Sequence, residues 1–117
     1  MTKTMDNKIM TVAPNIDQNL ISSEATSRER LICDFLRAAA HEGRLSILNC
    51  LAEGEKSVLD LENILNYRQA AISQQLARLR LEGFVDFKRD GKTRFYYVKS
   101  VKIIKFLDFL NKEFSDG

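Results

Sequence analysis

A turn signal between two alternating runs constrains this chain more than any other stretch. The segment "FVDFKRDGKTRFYYV" places β-type runs over residues 84–89 and 92–98 on either side of Asp90-Gly91. Asp-Gly between such runs predicts a hairpin, because a type I′ turn needs positive φ at both central residues. Immediately upstream, residues 69–82 carry a helical apolar period, and Gly83 closes it. A further helix follows, with Ser100 as its cap and "VKIIKFLDFLNKEF" as its body.

The upstream residues read as three more helices. Residues 1–25 are polar, show no sustained period and hold the single proline, so they are expected to be a disordered tail before a folded domain over 26–117. Thr26 and Glu29 are spaced as a capping box, and Leu31, Ile32, Phe35, Leu36 and Ala39 make an apolar stripe. His41-Glu42-Gly43 interrupts that pattern, and a second helix over 44–52 buries Leu45, Ile47, Leu48 and Leu51. Ser57 and Asp60 form another capping box, opening a short helix with Val58, Leu61, Ile64 and Leu65 inward. Residues 66–69 are a tight connection into the fourth helix. The predicted fold is mainly α with a β-hairpin (α+β), in the order ααααββα. A short helix, a tight turn, a longer helix and a hairpin make up a winged helix-turn-helix.

Charge narrows the function. The net charge is only +2, yet residues 66–99 carry eight basic groups against three acidic ones, while residues 42–65 carry two against five. A compact basic patch on an otherwise neutral chain selects a polyphosphate partner. No apolar run approaches the ~18–20 residues of a membrane span, and the first residues lack the apolar core of a signal peptide. A cytoplasmic protein without membrane association is expected. Catalysis is disfavoured: there is no Gly-rich phosphate loop, no Cys/His pairing at motif spacing and a single histidine, His41.

The fourth helix carries the specific signal. On a wheel at 100° per residue, Ile72, Leu76, Leu79 and Gly83 share one narrow sector. Ala70, Gln74 and Ala77 lie opposite, with Ser73 and Arg78 on the flanks. That ridge is low and bears amides, where an ordinary solvated face offers Lys and Glu. It fits a DNA major groove, in which an amide can pair with adenine N6 and N7. Gln69, Ser73 and Gln74 are the candidate base readers, with Ala70 beside them. Arg68 stands where Ser or Asp would normally cap the helix, putting a long cation beside N–H groups that favour phosphate. Arg78 and Arg80 flank the groove, although Arg80 is also within reach of Glu82 or Asp86. Lys88, Arg89, Lys92 and Arg94, on or beside the hairpin tip, are candidate backbone contacts. Double-stranded operator DNA is therefore the expected partner. A winged helix that binds an acidic protein is the alternative, and it would not depend on the Gln/Ser ridge.

On the last helix, Val101, Ile103, Ile104, Phe106, Leu107, Phe109, Leu110 and Phe114 cover more than half the circumference. One core-facing side needs about three residues in seven. The surplus calls for a second surface, most simply the same helix of another subunit.

The stretches "FLRAAAHEGRLSILNCLAEGEKSV" and "RQAAISQQLARLRLEGFVDFKRDGKTRFYYV" resemble the ArsR/SmtB family of dimeric bacterial repressors, over about residues 30–115. The resemblance implies operator binding through the fourth helix and the wing, and pairing through the first and last helices. Leu31, Phe35, Ile103, Phe106, Leu107, Leu110 and Phe114 are the expected interface residues. Metal-sensing members carry two cysteines in a box at the third helix, and here those positions hold Ser57 and Leu59. The last helix has no histidine, so neither familiar metal arrangement is present and no metal or other cofactor is expected.

The phrases "HEGRL" and "GEKSV" are closest to the BigR/SqrR/HlyU-type regulators of sulfide, persulfide or oxidant response. Those regulators place sensing cysteines where this chain has Asn49 and Ser115. Two possibilities follow. The sulfur switch has been lost or replaced, or the chain's own thiols, Cys33 and Cys50, act in its place. Cys50 is one step, about 100°, away from the family position on a helix.

Overall fold

The computed structural model describes residues 23–115, with side chains from residue 26 onward. Five helices and one hairpin follow in the order α1 (Ser23–Ala39), α2 (Glu42–Ala52), α3 (Val58–Leu65), α4 (Gln69–Leu81), β1 (Val85–Asp90), β2 (Thr93–Val98) and α5 (Val101–Glu113). This is the predicted winged helix-turn-helix order. The predicted disordered tail falls mostly outside the described residues.

Two boundaries differ from expectation. Helix α1 starts at Ser23, so Thr26 lies inside the helix and does not cap it. His41 is the residue before α2, in an extended conformation, and Glu42 and Gly43 belong to the first helical turn. Glu42 suits that place, since a carboxylate near a helix N-terminus faces the positive end of the dipole.

The α3–turn–α4 unit is built by local hydrogen bonds. Ser57 Oγ accepts the Asp60 N–H at 3.0 Å, and Asp60 Oδ2 accepts the Ser57 N–H at 2.9 Å, which completes the capping box. Asn66 ends α3 at φ 59°, a left-handed conformation that asparagine tolerates. Its N–H donates to the Glu62 carbonyl at 2.8 Å. Two residues later Arg68 opens α4 with no side-chain cap, as its sequence position implied.

The end of α4 is a Schellman motif. Gly83 N–H donates to Arg80 O and Phe84 N–H to Leu79 O, both at 3.0 Å. Gly83 sits at φ +88°, a value a side chain would resist. Gly83 is thus exposed at the turn, not on the buried side of α4 where the wheel placed it.

The core gathers Phe35, Ala38, Ile47, Leu48, Leu51, Leu61, Ile72, Leu76, Leu79, Val85, Val98 and Leu107. Phe35 meets Phe84 and Phe106 edge-on, with ring centroids 5.5 and 5.9 Å apart. The hairpin pairs Val85 with Val98, Phe87 with Tyr96 and Arg89 with Arg94. One face of it therefore runs from the core to the charged tip. Lys56 and Tyr96 exchange two backbone hydrogen bonds, at 3.0 and 2.8 Å, which fasten the hairpin to the segment ahead of α3.

The turn itself corrects the sequence reading. Asp90 pairs with Thr93, so Gly91-Lys92 is the two-residue loop. Gly91 has φ +65°, whereas Lys92 is not among the positive-φ residues. This is the φ pattern of a type II′ turn with glycine first, displaced by one residue from the expected I′ turn.

Replacing Ser57 by Ala leaves the Asp60 N–H without its acceptor. The expected cost is about 1 kcal/mol, or a fall of roughly 4–8 °C in Tm for a domain of this size. Thermal unfolding followed by circular dichroism checks it.

Candidate nucleic-acid interface

Helix α4 presents two unlike sides. Ile72, Leu76 and Leu79 have no exposed surface, while Gln69, Ala70, Ala71, Ser73, Gln74, Ala77 and Arg78 are all exposed. Three large side chains are enough to seat the helix, which frees the rest of its surface. The predicted ridge is on the outside, and its small alanines allow a partner close to the helix axis.

The ridge shares a surface with the wing. Ser73 and Ala77 line a hollow with Leu59, Lys92, Thr93 and Arg94. On its other flank, Gln74 and Ala77 line a second hollow with Arg44 and Arg78. The first hollow brings one proposed base reader together with two proposed backbone contacts, drawn from separate elements.

The cations fall into different situations. Arg68, Arg89, Lys92 and Arg94 are exposed. Arg89 and Arg94 lie directly across the hairpin from each other, an arrangement that destabilises a lone hairpin through like-charge repulsion. Lys88 points to the opposite face and pairs with Glu55 at 2.9 Å, and that hydrogen bond raises its pKa. It does not join the Arg89/Arg94 cluster. Arg78 is held by Glu82 at 2.8 Å, one turn along the helix. Both pairs are exposed, so their partners can be exchanged at little cost.

Arg80 pairs with Asp86 at 3.0 Å, one of the two partners within its reach in sequence. That hydrogen bond, reinforced by the Phe87 N–H at 2.8 Å, holds the Asp86 carboxyl below its ordinary range. The pair joins the end of α4 to the start of β1.

Several contributors were missed by sequence reasoning. Arg44 Nε donates to Ala38 O at 2.7 Å, and its Nη1 donates to Gln75 Oε1 at 3.3 Å. It thereby orients an amide on α4 from 31 residues away in sequence. Thr93 and Leu59 complete the hollow by the wing. No local pattern announces any of these, because each depends on how distant segments pack.

The expected pairing residues divide. Phe35 and Leu107 are 7% and 1% exposed and serve the protomer's own core, so neither is free to form a subunit interface. Ile103 and Leu110 are half-buried. Phe106 and Phe109 on α5 and Phe114 at its C-cap remain exposed, and so does Leu31 on α1. Phe109, at 56% exposed, belongs with the outward set although the resemblance did not single it out.

At the positions that the resemblance associates with sensing, other contacts stand. Asn111 Nδ2 donates to Asn49 Oδ1 at 3.2 Å, linking α5 to α2. Ser115 Oγ donates to Lys112 O at 3.2 Å. Ser57, at a family metal-box position, is occupied as the α3 cap. Among the described residues no group of three or more His, Cys, Asp or Glu converges as a metal site would. No described helix is long and apolar enough to cross a membrane. Cys33 is exposed and Cys50 buried. Burial raises the Cys50 thiol pKa, as does the charge of Glu53, with Lys56 acting in the opposite direction.

A helix seated by one narrow stripe, beside a cationic hairpin, defines this chain as a winged helix-turn-helix regulator. Residues 41–86 match the family model described as bacterial regulatory protein, arsR family. The transcriptional activator HlyU of Vibrio cholerae is 35% identical over 94 residues, covering 80% of this chain and 85% of that protein. The chain belongs to the ArsR family. Among solved structures, reduced HlyU from Vibrio cholerae superposes with a TM-score of 0.74 at 32% identity, covering 81% of this chain and all of that one. The transcriptional repressor BigR from Xylella fastidiosa gives 0.73 at 31%, covering 80% and 96%.

Thiol labelling tests the contrast between the cysteines. A buried thiol with a raised pKa is a poor nucleophile. The native chain is expected to release one fast equivalent of colour with a disulfide reagent at pH 7.5, and the second only in denaturant. Cys33→Ser should abolish the fast phase.

Proposed function

We propose that this chain is a homodimeric transcriptional repressor that binds an inverted-repeat operator in double-stranded DNA. The observation that carries the reading is the exposed Ala/Ser/Gln ridge of α4, opposite a fully buried stripe and continuous with wing cations. Gln69, Ser73 and Gln74 read base edges, and Ala70 and Ala77 let the helix approach. Arg68, Arg89, Lys92 and Arg94 hold the phosphates on either side of the groove. Arg78 joins them when phosphate replaces Glu82 as its partner. A regulator of this kind works where the chromosome lies, in the cytoplasm.

Dimerisation supplies the two-fold symmetry that an inverted repeat requires. Phe106 and Phe109 on α5, with Phe114 just beyond its end, form the apolar surface for it. Because Phe109 is exposed in the protomer, Phe109→Glu is expected to yield a folded monomer. Sedimentation velocity, with circular dichroism as a control for folding, reads both properties.

The operator can be selected from a random duplex pool by the wild-type protein, and half-sites about one helical turn apart are expected. Fluorescence anisotropy then separates readers from anchors. Gln74→Ala should narrow the gap between operator and random DNA. Lys92→Ala should weaken both about equally and make affinity less steeply dependent on salt, since each phosphate contact contributes about 0.9 to that slope. If the two variants behave alike, the division of roles is wrong.

A further inference from the structure

Three guanidinium groups converge on one aromatic ring at the junction of recognition helix and wing. Arg80 Cζ and Arg94 Cζ each lie 4.6 Å from the centroid of Phe87, and Arg89 Cζ lies 5.8 Å from it. They come from α4, β2 and β1 respectively. Among the described residues, Arg80 alone of the three has a carboxylate partner, Asp86. Phe87 is half-buried and meets its cross-strand neighbour Tyr96 at a tilt of 54°, with centroids 5.3 Å apart. The ring is therefore restrained by the core side of the hairpin while its environment is crowded with positive charge.

We propose that Phe87 is a positioning residue of the DNA interface, its ring face holding the Arg94 guanidinium in place to meet a backbone phosphate. The proposal rests on the reading of Arg94 as a DNA contact. A free arginine carries several rotatable bonds, and fixing it on DNA costs conformational entropy. A guanidinium stacked on a ring is already restricted, yet its edge N–H groups stay open to a phosphate. Arg94 lies across from Arg89 and lines the same hollow as Ser73. A position set by the ring thus fixes the wing contact relative to the reading helix. Arg80 on the same ring ties the end of that helix to the wing.

The test uses the full-length protein and the operator duplex that the wild type selects. Arg94→Ala first checks the underlying reading: if it binds like wild type, Arg94 is no DNA contact, and both that assignment and this proposal fall. Given a loss there, Phe87→Leu is expected to weaken binding by about two- to fivefold, the range of an exposed cation–π contact. Phe87→Tyr, which keeps the ring, is expected to bind like wild type. In the double variant Phe87→Leu/Arg94→Ala, the loss should be smaller than the product of the two single losses, because the leucine has little left to disturb. Arg94→Lys guards against a folding defect at position 87, since residue 94 is exposed. It keeps the charge but loses the planar guanidinium that lies over the ring, and it should weaken binding about as much as Phe87→Leu. Wild-type affinity in Phe87→Leu or Arg94→Lys, or single losses that simply multiply, overturns the proposal.

Discussion

Three side chains with no exposed surface, Ile72, Leu76 and Leu79, hold helix α4 to the rest of the fold. Each contributes about 1.5–3 kcal/mol on burial. They occupy one narrow sector of the helix, so anchorage is confined there and most of the circumference is left free. Leu48, Leu51 and Leu61, supplied by two earlier helices, are buried in the same core. Without that seat, the outward alanines, serine and glutamines would have no defined direction. Function on the outside thus depends on an apolar contact on the inside.

Electrostatics at the wing work against the fold of the isolated chain. Arg89 faces Arg94 across the ladder, and Arg80 stands near both on the Phe87 ring. The Asp86 carboxylate and the Phe87 ring offset part of that charge. A polyanion along that edge would relieve the repulsion directly. Lys88 shows the contrast. Placed on the other face, it has found a partner of its own in Glu55.

Helix α5 serves two surfaces at once. Ile103, Ile104 and Leu107 turn inward, while Phe106, Phe109 and Phe114 remain exposed. Near its end, Asn111 reaches Asn49 on α2. Amide and hydroxyl groups therefore stand at places where the family resemblance led one to look for thiols, and they make hydrogen bonds that need no oxidation. Cys50, one step along α2, is buried in the core, and burial raises its thiol pKa.

Local rules made a good part of this legible in advance. The Ser57–Asp60 box, the Gly83 stop, the hairpin and the outward ridge of α4 each depend on residues within a few positions of one another. Hydrogen-bond geometry and helical or strand period act over that range. What only the tertiary structure decided involves distant partners. The hairpin loop is Gly91-Lys92 because Val85/Val98 and Phe87/Tyr96 must pair on the buried face, and a one-residue slip would turn that face outward. Leu107 went to the core and Phe109 to the surface because the other helices, not the helical period, determine which side of α5 is covered. Arg44 met Gln75, and Lys88 met Glu55, for the same reason. Sequence sets what each short segment can become; packing alone chooses which side chains meet across it.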